Sequence, residues 1–366
     1  MAKMLFLLAV FFIPASGMSV DANNMSDQEL VDYLNKKQHF FKAELPKMPY
    51  EKFKSQLMDL KFMKKPERAE RAKQLVLNED LPESFDAREK WSNCVSIKTI
   101  RDQANCGSCW AVSAASAMSD RLCIQTKGQD QRIISDTDIL ACCGEFCGEG
   151  CNGGYMLKAF QYGMNFGVCT GGAYKAKGCC KPYAFHPCGQ HKDQPYYGEC
   201  LKQNEDTPTC RARCQFGYKT DYDKDKIYAN SAYFVDENED AIRKEIFTSG
   251  PVQAGFIVYQ DFRAYKKGVY VHTTGGRAGG HAIKIIGWGV ENGVKYWLVS
   301  NSWSSDWGEN GLFKIRRGTN ECEIESMRIL TERELLISIH TITKTPGLGI
   351  HFITINRSAT EANKGT

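Results

Sequence analysis

The stretch Gln-Ala-Asn-Cys-Gly-Ser-Cys-Trp at residues 103–110 is the most informative part of this 366-residue chain. Its second cysteine, Cys109, stands where a helix-forming run begins, so the thiol faces the positive end of a helix dipole. That position lowers the pKa of a thiol and favours the nucleophilic thiolate. Gln103, six residues upstream, offers a side-chain amide donor. A thiolate beside an amide donor is the beginning of an acyl-transfer site.

A histidine and an asparagine far along the chain complete the set that such a thiolate needs. His281 and Asn301 each stand in or beside a strand-like apolar run. Asn292-Gly293 between the two runs is a strong hairpin signal, and the hairpin places Asn301 near His281. Taken alone, each residue also fits a buried structural histidine or a turn asparagine. The presence of Gln103 and Cys109 favours a base and its orienting group.

Composition and targeting signals restrict the class of protein. The net charge is +4, with basic and acidic residues interspersed, so we expect no nucleic-acid partner and no membrane-surface partner. Residues 1–17 carry Lys3, an apolar stretch and Ala15-Ser16-Gly17, the pattern of a signal peptide too short to span a bilayer. The alternative for that stretch is a buried core helix.

The chain contains 16 cysteines, which together with a signal peptide indicate a disulfide framework in an oxidising compartment. Zinc at Cys106-x-x-Cys109 is the competing interpretation. It would need four converging ligands and would consume the thiolate, so we expect neither a metal nor another cofactor.

The chain divides into regions of different composition. Residues 18–80 lack cysteine and contain a helix-capping box, Ser26-x-x-Glu29, which predicts a helical segment that docks on something else. A cysteine-rich body begins at Leu81, and residues 227–317 are rich in strand formers. A helical half with the nucleophile and a β half with the base would place the site in the cleft between them.

The sequence motifs resemble those of a known family. The body from residue 81 to 326 is similar to the cathepsin B type of papain-family cysteine proteases, and residues 18–80 resemble its propeptide. The resemblance implies an α+β fold with two lobes, a helical left lobe and a β-barrel-like right lobe, and the active site in the cleft between them. The matching stretches are Leu81-Pro82-Glu83-Ser84-Phe85-Asp86-Ala87-Arg88, Arg101-Asp102-Gln103, Cys151-Asn152-Gly153-Gly154-Tyr155, Gly279-Gly280-His281-Ala282 and the tryptophan-rich run 296–308.

The resemblance also implies roles for individual residues. Cys109 is the expected nucleophile and His281 its ion-pair partner, with Asn301 orienting the imidazole and Trp303 shielding that hydrogen bond. Gln103 and the Cys109 backbone N–H are the expected oxyanion donors. The residues expected to contact substrate are Gly153, Gly154, Tyr155, Gly280, Ala282, His191 and Met327.

The family pairings imply six disulfides and two free thiols, Cys109 and Cys322. The remaining Cys169 and Cys179 are expected to form a seventh bridge, Cys169–Cys179. The six pairs are Cys94–Cys123, Cys106–Cys151, Cys142–Cys210, Cys143–Cys147, Cys180–Cys214 and Cys188–Cys200.

Two departures from the family pattern bear on specificity. In the occluding-loop insertion, about 180–214, the first of two adjacent histidines is replaced by Gln190, while the second is kept as His191. The lost histidine pairs in the family with an aspartate, here Asp102. Met327 stands where the family has a glutamate in the S2 pocket, and residues 327–366 form an atypical tail.

These observations predict a cysteine endopeptidase made as a zymogen, with weak dipeptidyl carboxypeptidase activity. The expected partners are protein and peptide substrates, the chain's own propeptide and cystatin-type inhibitors, and we expect a secreted or lysosomal monomer. One alternative is a catalytically inactive homologue that acts as a binding protein. Another is a disulfide-rich interaction module, which explains the cysteines but not the His281–Asn301 hairpin.

Overall fold

A computed structural model gives the fold of this chain. The structure describes residues 25–63, 80–192, 194–201, 203–235, 238–326 and 330–331. The expected signal peptide and most of the tail, including Met327, lie outside the described residues. No helix within the described ranges is both long enough and apolar enough to cross a membrane.

The described residues form nine helices and nine strands, besides short 3-10 turns. The helices are α1 Asp27–Lys37, α2 Tyr50–Ser55, α3 Ala87–Lys90, α4 Val95–Lys98, α5 Cys109–Gln125, α6 Asp136–Cys142, α7 Met156–Phe166, α8 Tyr222–Asp225 and α9 Glu239–Ser249. The strands are β1 Phe41–Ala43, β2 Phe85–Asp86, β3 Tyr233–Phe234, β4 Val252–Tyr259, β5 Tyr265–Tyr270, β6 Arg277–Glu291, β7 Val294–Ser300, β8 Leu312–Arg316 and β9 Leu330–Thr331.

Helix α5 is the centre of the helical lobe. Every residue from Cys109 to Cys123 is buried, and many are Ala or Ser, so neighbouring elements approach its backbone closely. Helices α6 and α7 pack on it and share its apolar core. The nucleophile candidate therefore stands at the first residue of the most buried helix.

The second lobe is a seven-stranded sheet with the order β1-β5-β8-β7-β6-β2, in which β4 also pairs with β6. Its pairs are antiparallel except β5 and β8. The expected barrel-like closure is wrong, because the end strands β1 and β2 are three and two residues long and do not pair with each other among the described residues. The two-lobed α+β architecture is confirmed.

The predicted hairpin is present. Strands β6 and β7 pair from Glu291 with Val294 to Lys284 with Ser300, with one register shift on the way. Asn292 and Gly293 form the turn with positive φ values of 50° and 79°. Such angles favour asparagine and glycine, which explains why this dipeptide was a reliable signal.

The six disulfides implied by the resemblance are formed. The expected Cys169–Cys179 bridge is wrong, because both residues are free thiols. The Cys169 side chain packs with Tyr222 and the Cys180–Cys214 bridge. The Cys179 thiol instead contacts the Ala176 carbonyl, and the Gln215 amide lies against its sulfur.

Residues 25–63, here called the N-terminal segment, pack against both lobes. Helix α1 begins at the predicted capping box, with Ser26 and Glu29 each accepting from the other's backbone N–H. Strand β1 adds to the sheet edge at β5, which the sequence had not indicated. The segment then crosses the cleft through α2 and the 3-10 turn Leu60–Met63.

Candidate active site

Cys109 lies at the start of α5 and is completely buried. Burial raises the pKa of its thiol to about 12, against the opposing effect of hydrogen bonds from the backbone of Ala282 and Trp110. The helix-dipole argument alone predicted the reverse direction. Desolvation exceeds these opposing hydrogen bonds, and Met58 and Phe62 of the N-terminal segment belong to the apolar cluster that buries the thiol.

His281 on β6 and Asn301 just after β7 form the expected pair. His281 Nε2 lies 2.8 Å from Asn301 Oδ1, and the Ser302 backbone N–H donates to the same oxygen at 2.8 Å. An oxygen that accepts from Ser302 requires the N–H of His281 to be on Nε2. His281 Nδ1 has no hydrogen-bond partner within the described residues and is therefore the ring nitrogen left for another group.

Aromatic rings surround that pair. The Trp303 and His281 ring centroids are 4.7 Å apart, and the Phe256 ring lies 5.9 Å from the imidazole. Complete burial lowers the pKa of His281 to about 4, although the Asn301 hydrogen bond opposes this shift. Thiol and imidazole are thus both uncharged at neutral pH in this state of the molecule.

Gln103 is fully buried, and its side chain is held at both ends. Its Oε1 accepts from the Ser302 hydroxyl at 2.7 Å. Its Nε2 donates to the carbonyl oxygens of Cys106 and Gln56, both at 2.8 Å. Gln56 belongs to the N-terminal segment. A backbone carbonyl of the segment therefore accepts the hydrogen bond of the amide donor beside the nucleophile.

The segment continues through the site with backbone contacts that resemble strand pairing. Met58 and Gly280 exchange two N–H···O bonds of 2.9 Å. Gly153 has a φ of 127°, and a side chain there would meet the Phe62 ring within 2.6 Å. The Phe62 ring also packs edge-on against Tyr155 at 5.1 Å. The segment therefore covers Gly153 and Gly280 and contacts Tyr155, which stays 38% exposed.

Gly154 and Ala282 lie beneath this surface. A Cβ on Gly154 would come within 2.7 Å of the Trp110 indole, so only glycine allows the close approach. Ala282 is completely buried and presents its backbone to Cys109. The structure thus brings together, in one cleft, every described residue predicted to contact substrate except His191.

His191 lies in residues 188–205, here called the cleft loop, of which 193 and 202 are outside the described residues. Its Nδ1 is 3.1 Å from both the Asp306 carboxylate and the Ser304 hydroxyl, and its Nε2 is 2.9 Å from the Cys188 carbonyl. It also lies 3.7 Å from Asp102. His191 therefore holds the loop against Ser304 and Asp306, with Asp102 close by.

The Gln190 side chain is exposed, and among the described residues its only hydrogen bond is to the backbone of its neighbour His191, at 3.5 Å. The expectation that position 190 faces Asp102 is wrong, because His191 occupies that place. Asp102 therefore has an imidazole nearby, that of His191, even though position 190 is a glutamine.

Metal binding finds little support in this part of the chain. Cys106 is bonded to Cys151 and cannot ligate zinc together with Cys109. Cys169, Cys180 and Asp225 are grouped closely enough to hold an ion, but Cys180 is bonded to Cys214 and offers no thiolate.

Several contacts were missed at the sequence level. Ser302 orients both Gln103 and Asn301, and its position next to Asn301 was the only available signal. Gln56 and Met58 carried no signal, because a backbone contact across the fold leaves no trace in residue type.

Comparisons with known proteins agree with this geometry. Residues 81–331 match the family described as papain family cysteine protease. The chain is 47% identical to cathepsin B-like cysteine proteinase 1 of Ostertagia ostertagi, over 86% of this chain and 92% of that protein. It is 49% identical to a gut-specific cysteine proteinase of Caenorhabditis elegans, over 86% and 93% of the two chains.

Solved structures show the same fold. Procathepsin B S9 from Trypanosoma congolense superposes with a TM-score of 0.71 at 35% identity, covering 82% of this chain and 96% of that one. Digestive procathepsin L 3 of Tenebrio molitor shares the fold at 21% identity, with a TM-score of 0.58 over 83% and 86%. The chain therefore belongs to the papain family of cysteine proteases, in its cathepsin B-like branch.

Proposed function

We propose that this chain is the zymogen of a cysteine endopeptidase, held inactive by the N-terminal segment. The observation that carries the proposal is the 2.8 Å hydrogen bond from Gln103 Nε2 to the Gln56 carbonyl. A peptide carbonyl stands where a substrate carbonyl would need stabilisation, and burial keeps the neighbouring thiol and imidazole uncharged. Residues 18–80 would then be the propeptide, with cleavage near Leu81.

Removal of the segment admits water and lets the thiol proton pass to His281 Nδ1. The Cys109 thiolate attacks the substrate carbonyl carbon, and the resulting oxyanion accepts from Gln103 Nε2 and the Cys109 backbone N–H. His281 returns its proton to the leaving amine, and a thioester remains. Water, deprotonated by His281, then attacks the thioester and releases the acid and the thiol. Asn301 keeps the imidazole N–H on Nε2 throughout, and Trp303 keeps water from that bond.

The cleft loop bears on which bonds are cut. We propose that it borders the side of the cleft that receives residues beyond the scissile bond. Lys52, in the part of the segment on that side, donates to the Cys188 carbonyl at 3.0 Å. Gly153 and Gly154 at the opposite end would bind the preceding residues. His191 would hold the C-terminal carboxylate of a substrate, which would give weak removal of C-terminal dipeptides.

The pocket for the second residue before the scissile bond is assigned to Met327. A methionine offers dispersion but no counter-charge, so we expect Phe or Leu there to exceed Arg at least about tenfold in kcat/KM. Cystatin-type inhibitors, a monomeric state and a secreted or lysosomal location complete the proposal. The sixteen cysteines fit an oxidising compartment.

The experiment compares the processed wild type with Cys109→Ala. The alanine variant should lose peptide hydrolysis while keeping the fold, and only the wild type should be labelled by an epoxide inhibitor directed at papain-like enzymes. A variant that retained even about a tenth of the wild-type turnover would exclude this mechanism. Circular dichroism of both proteins controls for misfolding.

A further inference from the structure

Asn105, four residues before Cys109, joins three parts of the molecule and is 1% exposed. Its Nδ2 donates to the carbonyl of Leu201 at 3.0 Å and to that of Gln203, both in the cleft loop. Its Oδ1 accepts from the hydroxyl of Ser55 in the N-terminal segment. Asn105 was not among the site residues described above.

These contacts settle which way the amide faces. Only an amide nitrogen can donate to two carbonyl oxygens, so the nitrogen faces the cleft loop and Oδ1 faces the segment. The Ser55 hydroxyl also lies 2.8 Å from the Lys52 carbonyl, so two acceptors share its single proton. Because Oδ1 can only accept, its partner in the cleft must be a donor.

The position of Ser55 places this acceptor relative to the chemistry. Ser55 directly precedes Gln56, whose carbonyl lies on the Gln103 amide donor. Lys52, three residues before it, contacts the cleft loop, while Phe62 lies against Gly153 at the other end of the cleft. The acceptor therefore stands next to the reacting centre, on the side of the cleft loop.

We propose that Asn105 determines specificity by accepting a hydrogen bond from a serine or threonine hydroxyl at the first residue beyond the scissile bond. This inference rests on the proposed function, in which a substrate replaces the segment. When Ser55 leaves, Oδ1 loses its donor and opens to the cleft. A bound substrate buries this oxygen again, and a buried acceptor without a donor is costly. A substrate hydroxyl at the same place restores the bond, whereas alanine leaves the oxygen unpaired or only hydrated.

The test uses two fluorogenic peptides that differ only in Ser or Ala after the scissile bond. Processed wild type should prefer Ser about fivefold in kcat/KM, the size of one ordinary hydrogen bond. The preference should lie mainly in KM, since the bond is present before and during the reaction. In Asn105→Ala the Ser-to-Ala ratio should fall to about one. Asn204→Ala is the matched control, because that loop amide donates to Cys151 instead and the ratio should persist.

The outcomes separate this inference from the function on which it rests. A reporter with no residue beyond the scissile bond measures protease activity alone. Cleavage of the reporter together with equal rates on both peptides would overturn the role of Asn105 and leave the protease intact. So would a Ser preference that survived in Asn105→Ala. Failure of wild type to cleave reporter and peptides alike would overturn the proposed function itself.

The uncut chain provides a second measurement that does not need a substrate. Ser55→Ala, Asn105→Ala and the double variant form a cycle on the rate at which iodoacetamide reaches Cys109 in the full-length protein. The labelling rate of the double variant should be about fivefold lower than the product of the two single effects predicts, because both substitutions remove the same bond. Independent effects would contradict the contact, and a variant that failed to fold would be recognised by its lost thermal transition.

Discussion

The N-terminal segment and the cleft loop contact each other through Lys52 and Cys188, yet they are held in place by different means. The segment carries no cysteine and is bound by apolar burial and backbone pairing, as at Met58 and Gly280. The cleft loop is closed by Cys188–Cys200 and fixed by His191 between two aspartates. The segment that we propose is removed is thus held by many weak contacts, whereas the loop that stays is covalently closed.

Removal of the segment should have the largest effect, on the reactivity of Cys109. A thiol pKa of about 12 leaves roughly one thiolate in 10⁵ at pH 7, so iodoacetamide should label the processed form at least about 1000-fold faster. In the uncut chain the rate should rise about tenfold per pH unit, because the thiolate fraction does. In the processed form it should change little from about pH 5 to 8. Mass spectrometry of the Cys109 peptide measures both rates.

Cys169 is the control for that labelling. It is another buried free thiol whose pKa is raised chiefly by burial, and the residues packed around it, Tyr222 and the Cys180–Cys214 bridge, lie outside the segment. Its labelling should be equally slow in both forms. Equal rates at Cys109 before and after removal of the segment would contradict the covering role.

The apolar contact of Phe62 should account for much of the free energy that keeps the segment on the cleft. Phe62 is 3% exposed against Gly153 and Tyr155, and its truncation to alanine should cost about 3 kcal/mol. Labelling of Cys109 in the uncut chain should therefore rise by up to about 100-fold. Leu60→Ala, in the same 3-10 turn but 36% exposed, should change the rate less than about threefold. Similar effects of the two variants would exclude burial as the cause.

The cleft loop should respond through His191 and not through position 190. His191→Ala removes the contacts to Asp306 and Ser304 and should lower the ratio of dipeptide removal to internal cleavage about tenfold. Gln190→His should raise that ratio less than about threefold, because the side chain is exposed and, in the described part of the chain, hydrogen-bonds only to its neighbour. A larger effect at 190 would mean that the histidine at 191 is not the anchor. Product analysis on one peptide gives both numbers.

The smallest effect should come from the far end of the segment. Ser26→Ala removes the capping box of α1, which is worth about 1 kcal/mol, and should speed Cys109 labelling in the uncut chain about fivefold. Gln28→Ala, which loses only an exposed bond to Asp32, is the control and should be near neutral. No difference between the two would show that α1 does not contribute to the hold of the segment on the cleft.

Features encoded by short stretches of chain could be predicted from the sequence. The capping box at Ser26, the helix start at Cys109 and the turn at Asn292-Gly293 each depend on residues within a few positions of one another. The turn then set His281 beside Asn301, since the register of a hairpin follows from its loop.

Features that depend on distant residues escaped prediction. The pairing of β1 with β5 joins residues more than two hundred positions apart and uses backbone atoms that every residue carries. Cys169 and Cys179 were paired by elimination, but bridging depends on where the sulfurs lie, and the fold directs them to different neighbours. The helix start at Cys109 predicted a lowered thiol pKa, whereas burial raises that pKa in the uncut chain, because the residues that bury the thiol come from distant parts of the sequence.

The addition of β1 to the sheet edge bears on the stability of the protein after the proposed cleavage. The segment supplies Leu34, Phe41 and Phe53 to the same apolar core as Phe262 and Trp303. Cleavage near residue 80, as proposed, would discard part of this core of the sheet lobe. We then expect the mature protein to keep its shape because unfolding is slow, not because refolding is available. Once denatured, the chain lacking residues 18–80 should recover poorly, whereas the full-length chain should refold.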